Sequence, residues 1–237
     1  MKKKYIKTTL ILMCSLTLLI LSSNNTSNAF SKVESYGNAN TNFNRYNSMT
    51  YQDVYYSSHN PDIEYIDGAN CTNWASQTLL GGGMSQISSY SSPSKDTDIR
   101  NWYYQPKKTI FDKRCESFVI AEKFRNHWGV DVNGNGNKRA NYSMITTLRD
   151  WYNNWDYYGS KCSPGDILQV YYPDEDKPYH SMVVYYTDMD EDGMVYEITI
   201  TENSRDAKTG FAEIFLNAYN SNPDAKIGLI RISQNNY

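Results

Sequence analysis

The feature that most constrains the fold is a change of hydrophobic period near Pro164. From there on, apolar and polar residues alternate, most clearly in "MVYEITITEN", and such alternation predicts strands with one buried face. Strands are also predicted for "GDILQVYYP", "YHSMVVYYTDM" and "AKIGLIRIS", and a short helix for "GFAEIFLNAYN". Helical periods dominate upstream of Pro164. Helices first and antiparallel strands later favour an α+β fold around one core, with the N-terminal helices packed on a C-terminal antiparallel sheet.

Four upstream segments have apolar residues at helical spacing. The second of them has a cysteine near its start and is closed by three glycines, which are typical of a helix end. The four segments are "YNSMTYQDVYYSSHNPDIEYID", "GANCTNWASQTLLGGG", "SFVIAEKFRNHW" and "NYSMITTLRDWYNNW".

The N-terminus has the layout of a secretory signal peptide. Four lysines precede the apolar run "TTLILMCSLTLLIL", and Ser27-Asn28-Ala29 offers a small-residue cleavage site. The sequence therefore predicts a signal peptide over 1–29, a flexible lead-in over 30–45, one domain over 46–237 and a secreted product. Once the signal is cleaved we expect no stable membrane insertion, because no later stretch is long and apolar enough.

The charge of the chain argues against nucleic acid as a partner. The net charge is −3, and the four signal-peptide lysines are among the 23 basic residues, so the remainder is more acidic still. Nucleic-acid binding requires clustered Lys and Arg, which the sequence does not contain.

Three cysteines remain after the predicted cleavage, namely Cys71, Cys115 and Cys162. An odd number in a secreted protein leaves one thiol unpaired. A Cys115–Cys162 disulfide would leave Cys71 free, and the alternative is that all three are reduced. Both remain open at this point.

Two acidic or amide-rich loops resemble calcium loops. "DMDEDG" supplies Asp188, Asp190 and Asp192 before Gly193, and "DVNGNG" lies at 131–136. Neither has the glutamate that a calcium loop needs at its twelfth position. The sequence also has no zinc-ligand spacing. We therefore predict a hairpin turn at "DEDG", no metal and no cofactor.

Cys71 is the candidate nucleophile. It lies at the start of a predicted helix, where unpaired N–H groups and aligned peptide dipoles favour a thiolate over a thiol. A thiolate nucleophile needs a base, and histidine is the usual one. His59 and His127 are expected at the surface, in a loop and at a helix end. His180 opens a predicted strand, so it can project from a sheet edge into a cleft.

A third group would orient the His180 imidazole. Glu202 and Asn203 end the next strand in sequence, and the alternation of a strand allows only one of them to face the cleft. We select Asn203, with Glu202 as the alternative. The backbone N–H of Cys71 would stabilise the oxyanion together with a side-chain donor that the sequence does not identify, since Gln77 lies too far along the helix.

With these residues, the chain resembles the secreted Putative amidase domain family, a branch of the papain-like fold related to NlpC-type and CHAP cell-wall peptidases. The likeness covers about residues 45–235 and rests on "NCTNWASQTLLGGG", "PGDILQVYY", "HSMVV" and "ITENSRD". It implies Cys71 as nucleophile, His180 as base and a polar third residue at or near Asn203. The chain departs from the family in having Asn70 where an aspartate usually precedes the cysteine.

The sequence therefore predicts a secreted cysteine hydrolase that cleaves an amide bond through a thioester. By analogy with the relatives, the substrate is the peptide part of bacterial peptidoglycan, or else a protein. The same thiol could instead deamidate glutamine or transfer an acyl group. The alternative from another class is a non-catalytic module that binds wall polymer or a surface protein.

Overall fold

A computed structural model of the protein describes residues 33–68, 70–90, 94–105, 113–129, 139–173 and 175–235. The predicted signal peptide and the "DVNGNG" loop lie outside these residues. The described helices are α1 (Arg45–Tyr55), α2 (Asn70–Gly81), α3 (Glu116–Val119), α4 (Ala121–Trp128), α5 (Leu148–Asn153), α6 (Trp155–Gly159) and α7 (Phe211–Ser221). Within the described residues, no helix is both long enough and apolar enough to span a membrane.

Seven strands form one sheet in which every neighbouring pair is antiparallel. They are β1 (Val33–Tyr36), β4 (Tyr142–Thr147), β5 (Ile167–Tyr171), β6 (Pro178–Met189), β7 (Val195–Glu202), β8 (Ala207–Gly210) and β9 (Lys226–Arg231), in the spatial order β1-β4-β9-β5-β6-β7-β8. A separate pair is formed by β2 (Tyr104–Gln105) and β3 (Lys113–Arg114). The predicted α+β class and the four predicted C-terminal strands are confirmed.

The sheet is covered by helices on both of its faces, with α2, α3 and α4 on one face and α5, α6 and α7 on the other. Successive strand residues alternate between two cores, as the period of a strand requires. Ile167 and Val183 pack with the side chains of α2, α3 and α4. Their neighbours Leu168 and Met182 pack with those of α5, α6 and α7.

The predicted helix over 141–155 is wrong in its first half, where the chain forms β4. This strand lies between β1 and β9, and its residues are almost all buried, so it shows no apolar–polar alternation. Ile145, Thr146 and Thr147 are β-branched, and such residues favour strands. The helix begins only at Leu148, where the Thr147 side chain accepts a hydrogen bond from the Asp150 N–H.

Two further elements differ from the sequence prediction. The segment over 30–45, expected to be flexible, contains β1, which pairs with β4. The predicted helix in "SFVIAEKFRNHW" is divided into α3 and α4 at Ile120, whose backbone is extended.

The cysteines do not form the disulfide considered above: Cys71, Cys115 and Cys162 are all free thiols. Cys115 is buried with α2 and α3 on one side of the sheet, and Cys162 is buried with α6 on the other. Since the sheet lies between their two cores, Cys115 and Cys162 cannot be bridged without rearranging the fold.

The "DEDG" segment is the predicted hairpin turn between β6 and β7. The Asp190 side chain accepts hydrogen bonds from the backbone N–H groups of Asp192 and Met194, and Gly193 adopts a φ of +80°. A positive φ favours glycine. No cluster of metal-ligating side chains occurs in the part of the chain that the structure describes.

Candidate active site

The start of α2 is fixed by the asparagine that precedes Cys71. Asn70 is buried; its amide donates to the Asn203 side-chain oxygen at 2.7 Å, and its own side-chain oxygen accepts from the Ile66 N–H and the Asn73 amide. Asn73 also donates to the Glu64 carbonyl. These contacts hold the segment that leads into the helix, and they place Cys71 in the first turn, half-buried.

The sulfur of Cys71 lies among hydrogen-bond donors. It contacts the His180 imidazole, the Ser181 backbone N–H and the Thr72 hydroxyl, the last at 3.8 Å. Burial by itself would raise the pKa of the thiol. The contacts with His180, Ser181 and Thr72 outweigh burial, so the pKa of Cys71 lies below its ordinary value.

His180 has two close neighbours, the Cys71 thiol and the Glu202 carboxyl group. Its Nε2 lies 3.3 Å from the Oε2 atom of Glu202, a carboxylate that is 1 % exposed, and the imidazole also contacts Cys71. Burial alone would lower the pKa of His180. The Cys71 sulfur and the Glu202 carboxylate raise this pKa to about 9, because each of them stabilises the imidazolium.

The register of β6 and β7 explains why Glu202, rather than Asn203, is beside the histidine. Val183 pairs with Thr201, and Glu202 follows Thr201 at the end of β7, so the Glu202 side chain points to the face opposite that of Thr201. His180 lies three residues before Val183 in β6, and its Nε2 is 3.3 Å from the Glu202 Oε2. Asn203 therefore points to the opposite face, toward α2.

Asn203, the residue selected from the sequence, has a different set of partners. Its side-chain oxygen accepts from Asn70, and its amide donates to the carbonyls of Tyr55, Tyr56 and Ser58. It thus joins the end of α1 to the start of α2. The structure brings Cys71, His180 and Glu202 together, whereas Asn203 connects the end of α1 with the start of α2 through hydrogen bonds.

The other histidines and Gln77 lie away from the thiol. His59 is half-exposed and stacks on Tyr65, as expected of a surface residue. His127 was also expected at the surface, but it is fully buried; its Nδ1 lies 2.7 Å from the Ile99 carbonyl oxygen. Gln77 accepts a hydrogen bond from the Tyr51 hydroxyl.

A buried chain of polar side chains, which the sequence did not predict, connects the start of α2, where Cys71 lies, with the sheet. The Thr72 hydroxyl lies 3.1 Å from the Ser181 hydroxyl, which accepts from the Gln169 amide, and the same amide donates to the Ala121 carbonyl. The signal in the sequence was polar residues within otherwise apolar segments of α2, β5 and β6. Such a chain fixes the helix start against the sheet through satisfied hydrogen bonds.

Arg205, which is 70 % exposed, is a further neighbour of the centre. Its Nε lies 3.6 Å from the same Glu202 oxygen that faces His180. The Glu202 carboxyl group is therefore within ion-pair distance of both the His180 imidazole and the Arg205 guanidinium, and such partners offset the cost of burying a carboxylate.

The arrangement supports nucleophilic chemistry. The contact lowers the pKa of the Cys71 thiol and raises that of the His180 imidazole, which shifts the equilibrium toward the thiolate–imidazolium pair. A thiolate at a helix start, with a hydrogen-bonded imidazole that can move a proton, is the pairing used in attack on carbonyl carbon.

Comparison with known proteins agrees with the resemblance seen in the sequence. A family model described as Putative amidase domain matches residues 42–228, which span α1 and α2 as well as β5, β6 and β7. The name of the family indicates hydrolysis of amides. No curated protein and no solved structure gives a significant match. Since the model matches well over half of the sequence, the chain belongs to the Putative amidase domain family.

Proposed function

We propose that the protein is a cysteine amidase in which Cys71 is the nucleophile, His180 the general acid and base, and Glu202 the residue that orients the imidazole. The observation that carries the proposal is the contact of a helix-start thiol with an imidazole whose other side faces a buried carboxylate. This is the logic of a catalytic triad, in which nucleophile, base and orienting group follow one another.

In the first half of the reaction, the Cys71 thiolate attacks the amide carbonyl carbon and an oxyanion forms. The Cys71 backbone N–H at the start of α2 stabilises this oxyanion, with the aligned peptide dipoles behind it. His180 then donates its proton to the leaving nitrogen, the C–N bond breaks, the amine departs and the acyl group remains on sulfur as a thioester.

In the second half, the neutral imidazole of His180 takes a proton from water as the water oxygen attacks the thioester. The C–S bond breaks, the acid is released and Cys71 returns as a thiolate beside the imidazolium. Glu202 holds the ring in one orientation throughout and stabilises its charged form.

The order of the proposed catalytic residues along the chain, a nucleophile at a helix start followed by a histidine near the beginning of a strand, favours a papain-like fold of the NlpC and CHAP kind. By this analogy, the substrate is the peptide part of bacterial cell wall or a protein. Residues 1–29 read as a secretory signal, so the proposed site of action is outside the cell.

Iodoacetamide labelling of the mature protein between about pH 5 and 9, with each cysteine quantified by peptide mass, tests the proposal. We expect Cys71 to label at lower pH than an ordinary thiol, because its pKa is lowered, and to label more slowly at the same pH in His180→Ala. Cys115 and Cys162 are internal controls, since both are buried and burial raises the pKa of each.

Labelling of Cys71 only in the alkaline range would contradict the proposal. In that case the non-catalytic binding module becomes the better reading. It predicts that Cys71→Ala binds purified cell wall as well as the unaltered protein does.

A further inference from the structure

Two tyrosines form an exposed aromatic pair next to the proposed catalytic histidine. Tyr172 and Tyr179 are 49 % and 48 % exposed, and their ring centroids are 4.8 Å apart. The Tyr179 ring centroid is 6.5 Å from that of His180. Exposed aromatic rings that contact each other beside a reactive group are suited to binding part of a substrate.

A β-bulge brings Tyr179 to the side of His180. Val170 pairs with His180, whereas the next residue, Tyr171, pairs with Pro178, so Tyr179 is the extra residue in β6. In a regular strand, adjacent side chains point to opposite faces. A bulge changes the direction of a side chain, and here it leaves the rings of Tyr179 and His180 near each other.

Backbone hydrogen bonds hold the connection between β5 and β6 that carries this tyrosine pair. The Tyr172 N–H donates to the Lys177 carbonyl, and the Tyr172 carbonyl accepts from the Glu175 N–H. Pro178 restricts the backbone just before Tyr179. The aromatic pair is therefore held by the connection between β5 and β6 rather than by burial.

The chemistry decides which part of the substrate this pair contacts. His180 donates a proton to the leaving nitrogen, so that nitrogen must lie within hydrogen-bond reach of the imidazole. The acyl carbon lies at the Cys71 sulfur and the start of α2. A group attached to that nitrogen lies next to the imidazole, and the Tyr179 ring is an aromatic neighbour of the imidazole, with its centroid 6.5 Å from that of His180.

Building on the proposed cysteine amidase, we propose that Tyr172 and Tyr179 form a leaving-group subsite that selects an amine carrying an aromatic or apolar side chain. Ring stacking and contact with the tyrosine faces provide the selectivity. Since the steps are reversible, the same subsite binds an amine that attacks the thioester. The amine nitrogen bonds to the acyl carbon, its proton passes to His180, and the C–S bond breaks to restore the thiolate.

Acyl transfer from a simple ester tests this proposal without knowledge of the natural substrate. p-Nitrophenyl acetate acetylates Cys71 with release of p-nitrophenolate, and phenylalaninamide or glycinamide then competes with water. The ratio of the two acetylated amides, at equal free-base concentrations, reports the subsite alone because both arise from one acyl-enzyme. We expect phenylalaninamide to be preferred about fivefold, in line with the strength of aromatic contacts.

The variants separate the aromatic pair from other surface tyrosines. Tyr179→Ala and Tyr172→Ala should each bring the preference close to one, whereas Tyr179→Phe should retain it because the ring is kept. Tyr186→Ala is the matched control; Tyr186 also lies in β6 and is 43 % exposed, and its loss should leave the preference unchanged.

The outcomes are distinct. Equal capture of both amides, or a preference that survives Tyr179→Ala and Tyr172→Ala, overturns the subsite while the amidase chemistry stands. Preferred capture by glucosamine over both amides overturns it in favour of a sugar-binding surface. Failure to form any Cys71-dependent acyl-enzyme overturns the proposed function and the subsite with it.

Discussion

At the residue scale, Glu202 is the group whose charge most directly controls the proposed catalytic pair. It is buried, its carboxylate faces His180 at 3.3 Å, and the histidine pKa is raised to about 9 although burial alone would lower it. A buried carboxylate at this distance acts through a low local dielectric, so removing its charge has a larger effect than removing a surface charge.

Glu202→Gln is therefore expected to lower the pKa of His180 while keeping the shape of the side chain. The imidazolium is present below its pKa and is lost as pH rises through it. In the unaltered protein, kcat/KM should therefore decrease on the alkaline side of its pH profile, near pH 9, and this decrease is the alkaline limb. In Glu202→Gln that limb should move to lower pH. Ester hydrolysis measured from about pH 5 to 10 checks this.

Glu197→Gln is the matched control for this experiment. Glu197 lies on the same strand and is partly buried, but its side chain accepts from the Ile198 N–H in β7 and from the Ala212 N–H at the start of α7. Its substitution should leave the alkaline limb in place. An unchanged limb in Glu202→Gln would exclude Glu202 as the orienting residue.

At the scale of elements, the active-site helix depends on one amide that is not itself beside the histidine. Asn203 follows β7, accepts from Asn70 at the start of α2 and donates to the last carbonyls of α1. Helix ends leave such groups unsatisfied by the helix itself, and burying them without partners is costly.

Asn203→Ala should lower the free energy of unfolding by about 2–4 kcal/mol, because it leaves several buried groups unpaired. Urea unfolding at neutral pH measures this loss. The alkaline limb of kcat/KM should not move, since the His180–Glu202 contact is untouched. A shifted limb with unchanged stability would instead give Asn203 the orienting role selected from the sequence.

Most of the helices and strands could be predicted from the sequence, and those that could not were missed for physical reasons. The cysteine helix and the later strands could be located from their apolar residues, although α2 and β5 are buried along almost their whole length. β4 is buried almost throughout, so Ile145 could be fitted to a helix together with Leu148 and Trp151. The choice between Glu202 and Asn203 depended on a register that includes β-bulges, which the local sequence does not specify.

At the scale of the whole molecule, stability depends on a histidine buried in the core on the α2 side of the sheet. His127 is fully buried against Trp102 and Trp128, with only its Nδ1 paired to a carbonyl. Burial lowers its pKa to about 3, and the nearby charge of Arg139 acts in the same direction. The fold therefore keeps His127 neutral where an unfolded chain would protonate it.

The sign of the resulting pH dependence follows from proton linkage. Below about pH 6.5 the unfolded chain binds a proton at His127 and the folded protein does not, so stability is lost as pH falls toward 3. Each pH unit in that window costs up to about 1.4 kcal/mol, or about 2 kcal/mol in total between pH 7 and 5. Urea unfolding from pH 7 to 5 should show this loss in the unaltered protein.

His127→Gln should flatten that dependence by about the same amount, whatever its effect on stability at pH 7, because the titrating group is gone. His59→Gln is the matched control, because it removes a half-exposed histidine ring instead of a buried one. The difference between the curves isolates His127, since carboxylates and His180 contribute equally to all three proteins. Parallel curves for the unaltered protein and His127→Gln would mean that His127 is protonated or solvated in the folded state, contrary to its burial in this core.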